Sequence, residues 1–306
     1  MKKLLFAGDI NVDVLMGGLV SLPVVDREVT CSTFDVAIGS SAVICAAAYA
    51  SLGGHASFLG LAGRDEYGEF MLLGMNDLKI KTHLVRLTDR VRTGVTVNLI
   101  HQSTRTQVTY PGTIAEFNGA DVDEKEFKGV DHVHFAGPYL QTKFRPHITR
   151  LLKLAQRLKI STSLDPQWDP AEKWEFMDEW LPLLTYLFVN ESEALSLTKA
   201  ASLEEACKTL HSKTHCAIVK AGKDGAMAIV KGKLERVPAR AVKVVDTTGA
   251  GDCFDAGFLF ATFVQSLPLL EAMKFGSATG SRSCMFAGGV AHRSSCEDIV
   301  QFMKGQ

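Results

Sequence analysis

The sequence predicts an α/β fold: a mostly parallel central sheet covered by helices on both faces, with a small β-sheet lid beside it. Three observations carry that expectation. Short apolar runs of strand length alternate with helical patterns through most of the 306 residues. Two segments, 14–34 and 88–110, break the alternation. Near the C-terminus an apolar strand-like run, Ala241–Val245, enters a small-residue turn and an apolar helix-like run, Phe254–Val264, leaves it.

Taken in order, the expected strands are Leu4–Ala7, Ala56–Leu61, Val95–Ile100, His132–Phe135, Ser161–Leu164, Tyr186–Val189, Ala217–Lys220 and Ala226–Val230. Helical patterns fall at Ala42–Leu52, Phe70–Asp77, Arg145–Leu158, Leu203–Leu210 and Asp252–Val264. Such alternation reads as βαβ units. Segment 14–34 has no helical period and contains Gly17, Gly18 and Pro23. Segment 88–110 is rich in β-branched residues, alternating through Thr93-Gly94-Val95-Thr96-Val97-Asn98. Both are expected to be antiparallel strands of the lid, with 1–13, 35–87 and 111–306 forming the core. Ligands of an open α/β sheet bind beyond the carboxyl ends of the strands, where a small sheet would close over them.

Composition narrows the function classes. The chain is 46% hydrophobic and 22% charged, with a net charge of −1 and no basic stripe, so no nucleic-acid partner is expected. The N-terminal apolar run stops at Gly8-Asp9, short of a secretory leader. The small-residue stretch Ala37–Gly54 is broken by Ser and Gly and too short to span a bilayer, so no membrane partner is expected. Seven cysteines without a C-x-x-C pair point to buried thiols in a reducing compartment, the cytoplasm.

The most informative stretch is Asp246-Thr247-Thr248-Gly249-Ala250-Gly251-Asp252-Cys253-Phe254-Asp255-Ala256-Gly257-Phe258. Gly249 and Gly251 let backbone N–H groups approach a ligand where a Cβ would collide. Those groups lie at a helix start, where unpaired donors and the macrodipole favour an anion. Asp252 then places a negative charge at the end of an anion cradle, which makes sense if it takes a proton from whatever attacks the anion. The turn is neither a Walker A loop nor a G-x-G-x-x-G fingerprint. A plain Gly-rich turn with a capping Asp is the structural alternative; the full string favours a phosphoryl-transfer site.

At the other end of the chain Asp9, Asn11 and Asp13 recur with period two, so all three can face one pocket, as a polyol acceptor requires. Three other features read as packing. His132 and His134 share a strand face with no third ligand spaced nearby. Cys253 is expected to be a buried thiol, and Trp168, Trp174 and Trp180 either cover a pocket wall or bury a loop.

These residues together resemble the ribokinase-like (PfkB) family of sugar and nucleoside kinases. The 246–258 string is similar to that family's C-terminal motif, and Gly60–Gly68 to its N-terminal motif. Gly8-Asp9-Ile10-Asn11-Val12-Asp13 looks like its first strand, and Gly39-Ser40-Ser41-Ala42 its Gly-rich turn. Asn190-Glu191-Ser192-Glu193 matches its N-x-x-E element, and Val219–Ala226 its nucleotide-side loop.

The resemblance implies a three-layer ribokinase-like fold, ATP and Mg²⁺ as cofactors, and a small sugar or sugar acid as acceptor. It implies Asp252 as the base, with the N–H groups of Gly249, Ala250 and Gly251 as the hole for phosphoryl charge. ATP would meet Asn190, Lys220, Gly222, Gly225, Thr248, Gly251 and Ser277. Asn190 and Glu193 would act on Mg²⁺ through waters, although their local sequence by itself reads as a helix capping box. Asp246 and Thr248, with backbone around 287–294, would sit where relatives hold a monovalent cation such as K⁺.

The acceptor would meet Asp9, Asn11, Asp13, Gly39, Ser40, Ile44 and Arg105. Here the chain departs from the family pattern. Ser40 stands at a second Gly and Ile44 at a sugar-contacting Asn, which makes that wall less polar. No Lys lies within Gly39–Cys45, which favours an unphosphorylated acceptor. Arg92 and Arg105 lie in the lid, where a solvated edge is the common explanation for both and an anionic substrate group the functional one. A lid sheet with exposed edges also invites a homodimer. A nucleoside kinase and a catalytically silent sugar-binding regulator are the alternative functions.

Overall fold

The computed structural model describes residues 2–102, 104–290 and 293–305. The strands are β1 Lys3–Ala7, β2 Asn11–Gly17, β3 Thr33–Ile38, β4 His55–Gly63, β5 Lys81–Thr88, β6 Gly94–His101, β7 Thr104–Tyr110, β8 His132–Ala136, β9 Ser161–Asp165, β10 Tyr186–Asn190, β11 Ala217–Lys220, β12 Ala226–Val230 and β13 Lys233–Val237. The helices are α1 Ser41–Ser51, α2 Glu66–Asp77, α3 Thr113–Glu116, α4 Ile148–Arg157, α5 Met177–Trp180, α6 Glu191–Thr198, α7 Leu203–Lys213, α8 Ala250–Phe263, α9 Leu269–Ser283 and α10 Cys296–Lys304.

Nine strands form the main sheet in the order β13-β12-β11-β10-β9-β8-β1-β4-β5. All pairs from β11 to β5 are parallel, and β12 and β13 add an antiparallel edge. The alternation along β1 shows how the layers arise. Leu4 and Phe6 enter a core shared with α1, α2, α8, α9 and α10, whereas Leu5 and Ala7 enter one shared with α4, α5, α6 and α7. Phe188 and Leu187 divide in the same way on β10. With both faces covered, these strands read as continuous apolar runs.

Four strands form a separate small sheet in the order β3-β2-β6-β7. Only part of the expected pairing holds. β2–β3 and β6–β7 are antiparallel, but the central pair β2–β6 is parallel, with Asp13 opposite Thr96. Antiparallel neighbours can be joined by a short turn, whereas β2 and β6 are separated by more than seventy residues that cross the main sheet first. Asn11 and Asp13 therefore lie on a strand of the small sheet, not at the end of the main sheet's first strand, which stops at Ala7.

A second correction concerns Ala241–Val245, which forms no strand. The Val245 N–H donates to the Cys284 carbonyl at the end of α9, and Val244 and Val245 stay exposed. An apolar run of strand length needs a partner edge, and this one passes beside a helix end. None of the described helices is long and apolar enough to cross a membrane.

Candidate active site

The carboxyl ends of the parallel strands carry the chemistry. Asp165, Asn190 and Lys220 are the last residues of β9, β10 and β11, and Asp9 lies in the turn after β1. The small sheet stands over these ends, and a cleft of about 260 Å³ opens between them. Asp9, Asn11, Asp13, Ser40, Ile44, Arg105, Thr248, Gly249 and Asp252 all line it, which brings most of the residues expected at the acceptor and at the glycine turn to one place, while Gly39, Ala250 and Gly251 are not part of its lining.

On the lid side, Asn11 Nδ2 lies 3.2 Å from Asp13 Oδ1 and 3.3 Å from Thr96 Oγ1. Burial raises the Asp13 carboxyl, and the Arg105 charge offsets part of that rise. Gly39 has to be glycine for space: a Cβ there would sit 2.6 Å from Asn11 Nδ2 and 2.7 Å from Asp13 Oδ1. Ser40 occupies left-handed backbone, φ 72°. Its Oγ donates to the Asp9 carbonyl at 2.7 Å and accepts from the Val43 N–H at 3.2 Å, capping α1. Burial raises Asp9 to about 6.

At the other wall, Gly249 adopts φ 73° as the N-cap of α8. Asp252 sits in the first turn, 7% exposed. Its Oδ1 accepts from Ser41 Oγ and, at 3.4 Å, from Gln167 Nε2. Burial, aided by the nearby Asp165 charge, pushes this carboxyl up to about 7. The Ala250 N–H donates to the Thr247 carbonyl at 3.2 Å, so within the turn that donor serves the loop. Ile44 fills the space beside Gly249, where a Cβ would lie 2.8 Å from its Cγ2. The wall is apolar there.

Lys220 does not face the cleft. Its Nζ lies 2.7 Å from Asp165 Oδ2 and 3.1 Å from Asp255 Oδ1, beneath Gly251. Asn190 and Glu193 form a complete capping box on α6. The Asn190 N–H and Nδ2 donate to the two Glu193 carboxylate oxygens at 2.8 and 2.7 Å, and the Glu193 N–H donates back to Asn190 Oδ1. Burial, then Asp165, pushes Glu193 to about 7.

Gly222 and Gly225 bracket a single turn between β11 and β12, both at positive φ. Ser277 is buried on α9 and donates to the Pro238 carbonyl at 2.9 Å. Asp246 accepts from the Thr248 N–H and Oγ through Oδ1 and from the Gly288 N–H through Oδ2. Of the backbone expected beside it, Ala291 and His292 lie outside the described residues.

The two lid arginines differ. Arg92 pairs with Glu66 on the exposed edge, whereas Arg105 Nη1 reaches Thr248 Oγ1 at 2.9 Å, joining the small sheet to the turn before α8. His132 and His134 are buried and share the Ser163 hydroxyl at 2.8 Å, as packed residues do. Among the described residues no group of three or more His, Cys, Asp or Glu is placed to hold a metal ion directly. Cys253 is buried. Trp174 and Trp180 pack around Tyr139, and Trp168 lines the cleft.

Ser41, Gln167, Asp165 and Asp255 carried no expected role in the sequence. Asp165 ends a parallel strand, a position that could have drawn notice. Gln167 carried no local signal.

A buried carboxylate beside a glycine turn thus lines a polar cleft under the small sheet. The pfkB family carbohydrate kinase signature matches residues 5–291. The chain belongs to that family and is a sugar or nucleoside kinase, a phosphotransferase with an alcohol group as acceptor. It is 28% identical over 285 residues to the ATP-dependent ribose-1-phosphate kinase of Halopiger xanaduensis, covering 92% of this chain and 91% of that one. Its fold matches a putative ribokinase II from E. coli, solved with ATP and Mg²⁺, at TM-score 0.87 and 18% identity over the whole of both chains. It also matches the fructokinase of Vibrio cholerae O395, solved with fructose, ADP and a calcium ion, at TM-score 0.83 and 22% identity over 99% of each chain. A double mutant of that fructokinase was solved with a potassium ion.

Proposed function

We propose that the protein transfers the γ-phosphoryl group of ATP to a hydroxyl of a small sugar or sugar acid, with Asp252 as general base. The observation that carries this reading is the position of Asp252: a buried carboxylate in the first turn of α8, directly after Gly249 and Gly251, opening into the cleft that holds Asp9, Asn11 and Asp13. Asp13 and Asn11 accept and donate to neighbouring hydroxyls of the acceptor. The hydroxyl nearest Asp252 loses its proton to that carboxylate as its oxygen bonds to phosphorus and the bond to the ADP oxygen breaks. The backbone N–H groups of Gly249 and Gly251 receive the charge on the moving phosphoryl, the Ala250 N–H being taken by the Thr247 carbonyl. The nucleotide lies toward the Gly222–Gly225 turn.

The donor set suits a water-mediated Mg²⁺. Glu193 is a buried carboxyl whose oxygens each retain a lone pair after capping α6, and it shares its surroundings with Asp165 and Asp252. Mg²⁺ held there would neutralise phosphate charge. A monovalent cation beside Asp246 and Thr248 would draw on the remaining lone pairs of Asp246 and on loop carbonyls.

Arg105, reaching over the cleft to Thr248, favours an acceptor with a carboxylate. The apolar wall of Ile44, with Trp168 beside the opening, favours the second reading, a nucleoside acceptor. ADP release from ATP-Mg²⁺ against a panel of sugars, sugar acids and nucleosides separates the two. A silent regulator on this scaffold would bind a panel member and release no acceptor-dependent ADP, which would overturn the kinase reading.

We also propose that the lid pairs with a second copy of the chain. Register places Val14, Met16, Phe34, Val36, Val97, Leu99, Val108 and Tyr110 on the face of the small sheet opposite Asp13 and Thr96. Phe34, Val108 and Tyr110 are 67%, 60% and 51% exposed. This apolar patch, bordered on the same face by Thr106, Thr104 and His101, fits a like surface from a second molecule.

A further inference from the structure

Two side chains with no role so far converge on Asp252. Ser41 Oγ donates to Asp252 Oδ1, Gln167 Nε2 lies 3.4 Å from the same oxygen, and Gln167 Nε2 lies 2.8 Å from Ser41 Oγ. The three come from the first residue of α1, the loop after β9 and the first turn of α8. Both donors are delivered by backbone in a conformation that L-residues avoid. Ser40, just before Ser41, has φ 72°, and Gln167 itself has φ 53°. Each is held there by a partner: Ser40 Oγ by the Asp9 carbonyl, and the Gln167 N–H by Asp165 Oδ1 at 3.0 Å. Strained backbone kept in place by its surroundings, twice, around one carboxylate, points to a functional constraint on that carboxylate. Among the described residues, both hydrogen bonds to Asp252 fall on Oδ1.

We propose that Ser41 and Gln167 are positioning residues that clamp Oδ1 of Asp252 and so set Oδ2 as the oxygen that takes the acceptor's proton. This rests on Asp252 being the base. In the transfer, the acceptor O–H proton passes to Oδ2, the acceptor oxygen bonds to phosphorus, and the electron pair of the broken bond leaves with ADP. Ser41 and Gln167 exchange no proton. They also favour the ionised carboxylate, because they donate to its charge. That support matters in these surroundings. Asp9 from the turn after β1, Asp165 from β9, Glu193 from α6 and Asp255 from α8 face the site, with the Cys45 and Cys253 thiols. Lys220 supplies a positive charge from beneath, and Arg105 lines the same cleft.

Infrared difference titration of the unliganded protein, wild type against Asp252→Asn, reads the protonation of Asp252 without any acceptor. Ser41→Ala is expected to move its midpoint up by about one pH unit, the scale of one hydrogen bond to a charged group. Gln167→Met, which keeps the side-chain volume, is expected to move it by less. Ser41→Thr restores the hydroxyl and the wild-type midpoint. With an acceptor from the panel, the acid limb of kcat/KM should shift alike while the KM for ATP holds. An unmoved midpoint in both Ser41→Ala and Gln167→Met overturns the clamp, as does a rise in acceptor KM with a fixed pH profile. Near-normal turnover in Asp252→Asn removes the base reading itself. Low turnover there, with the clamp variants unmoved, removes the clamp alone.

Discussion

Lys220 Nζ lies 2.7 Å from Asp165 Oδ2, with the two side chains 11% and 2% exposed. Asp255, 1% exposed, approaches the same ammonium at 3.1 Å. One cation cannot ionise two buried acids equally. Burial pushes Asp255 well above the usual carboxylate range. Burial opposes ionisation of Asp165 too, but Lys220 and a hydrogen bond from Asp255 overcome it and hold Asp165 low. The arrangement is an ion pair with a neutral acid beside it, under the glycine cradle.

Removing one partner of such a pair leaves a buried charge alone. Lys220→Met is therefore expected to destabilise the fold by about 3–5 kcal/mol. Urea unfolding checks this; a loss below about 1 kcal/mol would show that the pair is not needed to hold the strand ends.

Asp252→Asn should keep the affinity for ATP and acceptor while lowering turnover by about 10²–10⁴-fold, the range for a lost general base. Because Asp252 sits at about 7, wild-type turnover should rise as pH passes through that value. A flat rate between pH 5 and 8 with an intact enzyme would argue for another base.

Stability should change with pH in the opposite sense. Asp252 and Glu193 are raised to about 7, from 3.8 and 4.5, and Asp9 to about 6, in each case first by burial. Between about pH 4 and 7 the native state holds protons that the unfolded chain has released, so stability falls as pH rises through that window. Asp165, held low by Lys220, works the other way at acid pH. Asp252→Asn escapes one of these penalties. Its melting temperature should exceed that of the wild type at pH 8 and match it near pH 4; an equal difference at both pH values would reject this linkage.

Asp13→Ala should raise the acceptor KM by roughly 10–100-fold, the worth of one or two hydrogen bonds to a charged group, and leave the KM for ATP unchanged. Asp13 lies on the lid strand beside Asn11 and faces the cleft. An unchanged acceptor KM would remove it from the acceptor site.

Phe34→Asp places a charge on the apolar outer face of the lid. Sedimentation should show the wild type as a dimer and this variant as a monomer. A monomeric wild type at micromolar concentration would rule out the lid pairing.

Much of the architecture was readable along the chain because its signals are local. Apolar runs marked the eight expected strands within a residue or two, and glycines with a carboxylate marked the turn at 249–252. The capping box of Asn190 and Glu193 was legible from spacing alone, because its partners are three residues apart. The alternation of Asn11 and Asp13 correctly placed them on one face, though of the lid's sheet rather than the core's.

The tertiary structure alone decided which distant groups meet. Ser41 and Asp252 are 211 residues apart, and Gln167 reaches both from a loop without a motif. Lys220 looked like a nucleotide ligand in its loop, and the fold turns its ammonium inward to Asp165 and Asp255. Ala241–Val245 had the composition of a strand and lacks a partner edge. Periodicity and turn chemistry are written within a few residues, and so the sequence determined the family, the layers and the carboxylate Asp252. Hydrogen-bond partners, charge balance and burial depend on chain segments that only folding brings together, and those gave that carboxylate Ser41 and Gln167 as its partners.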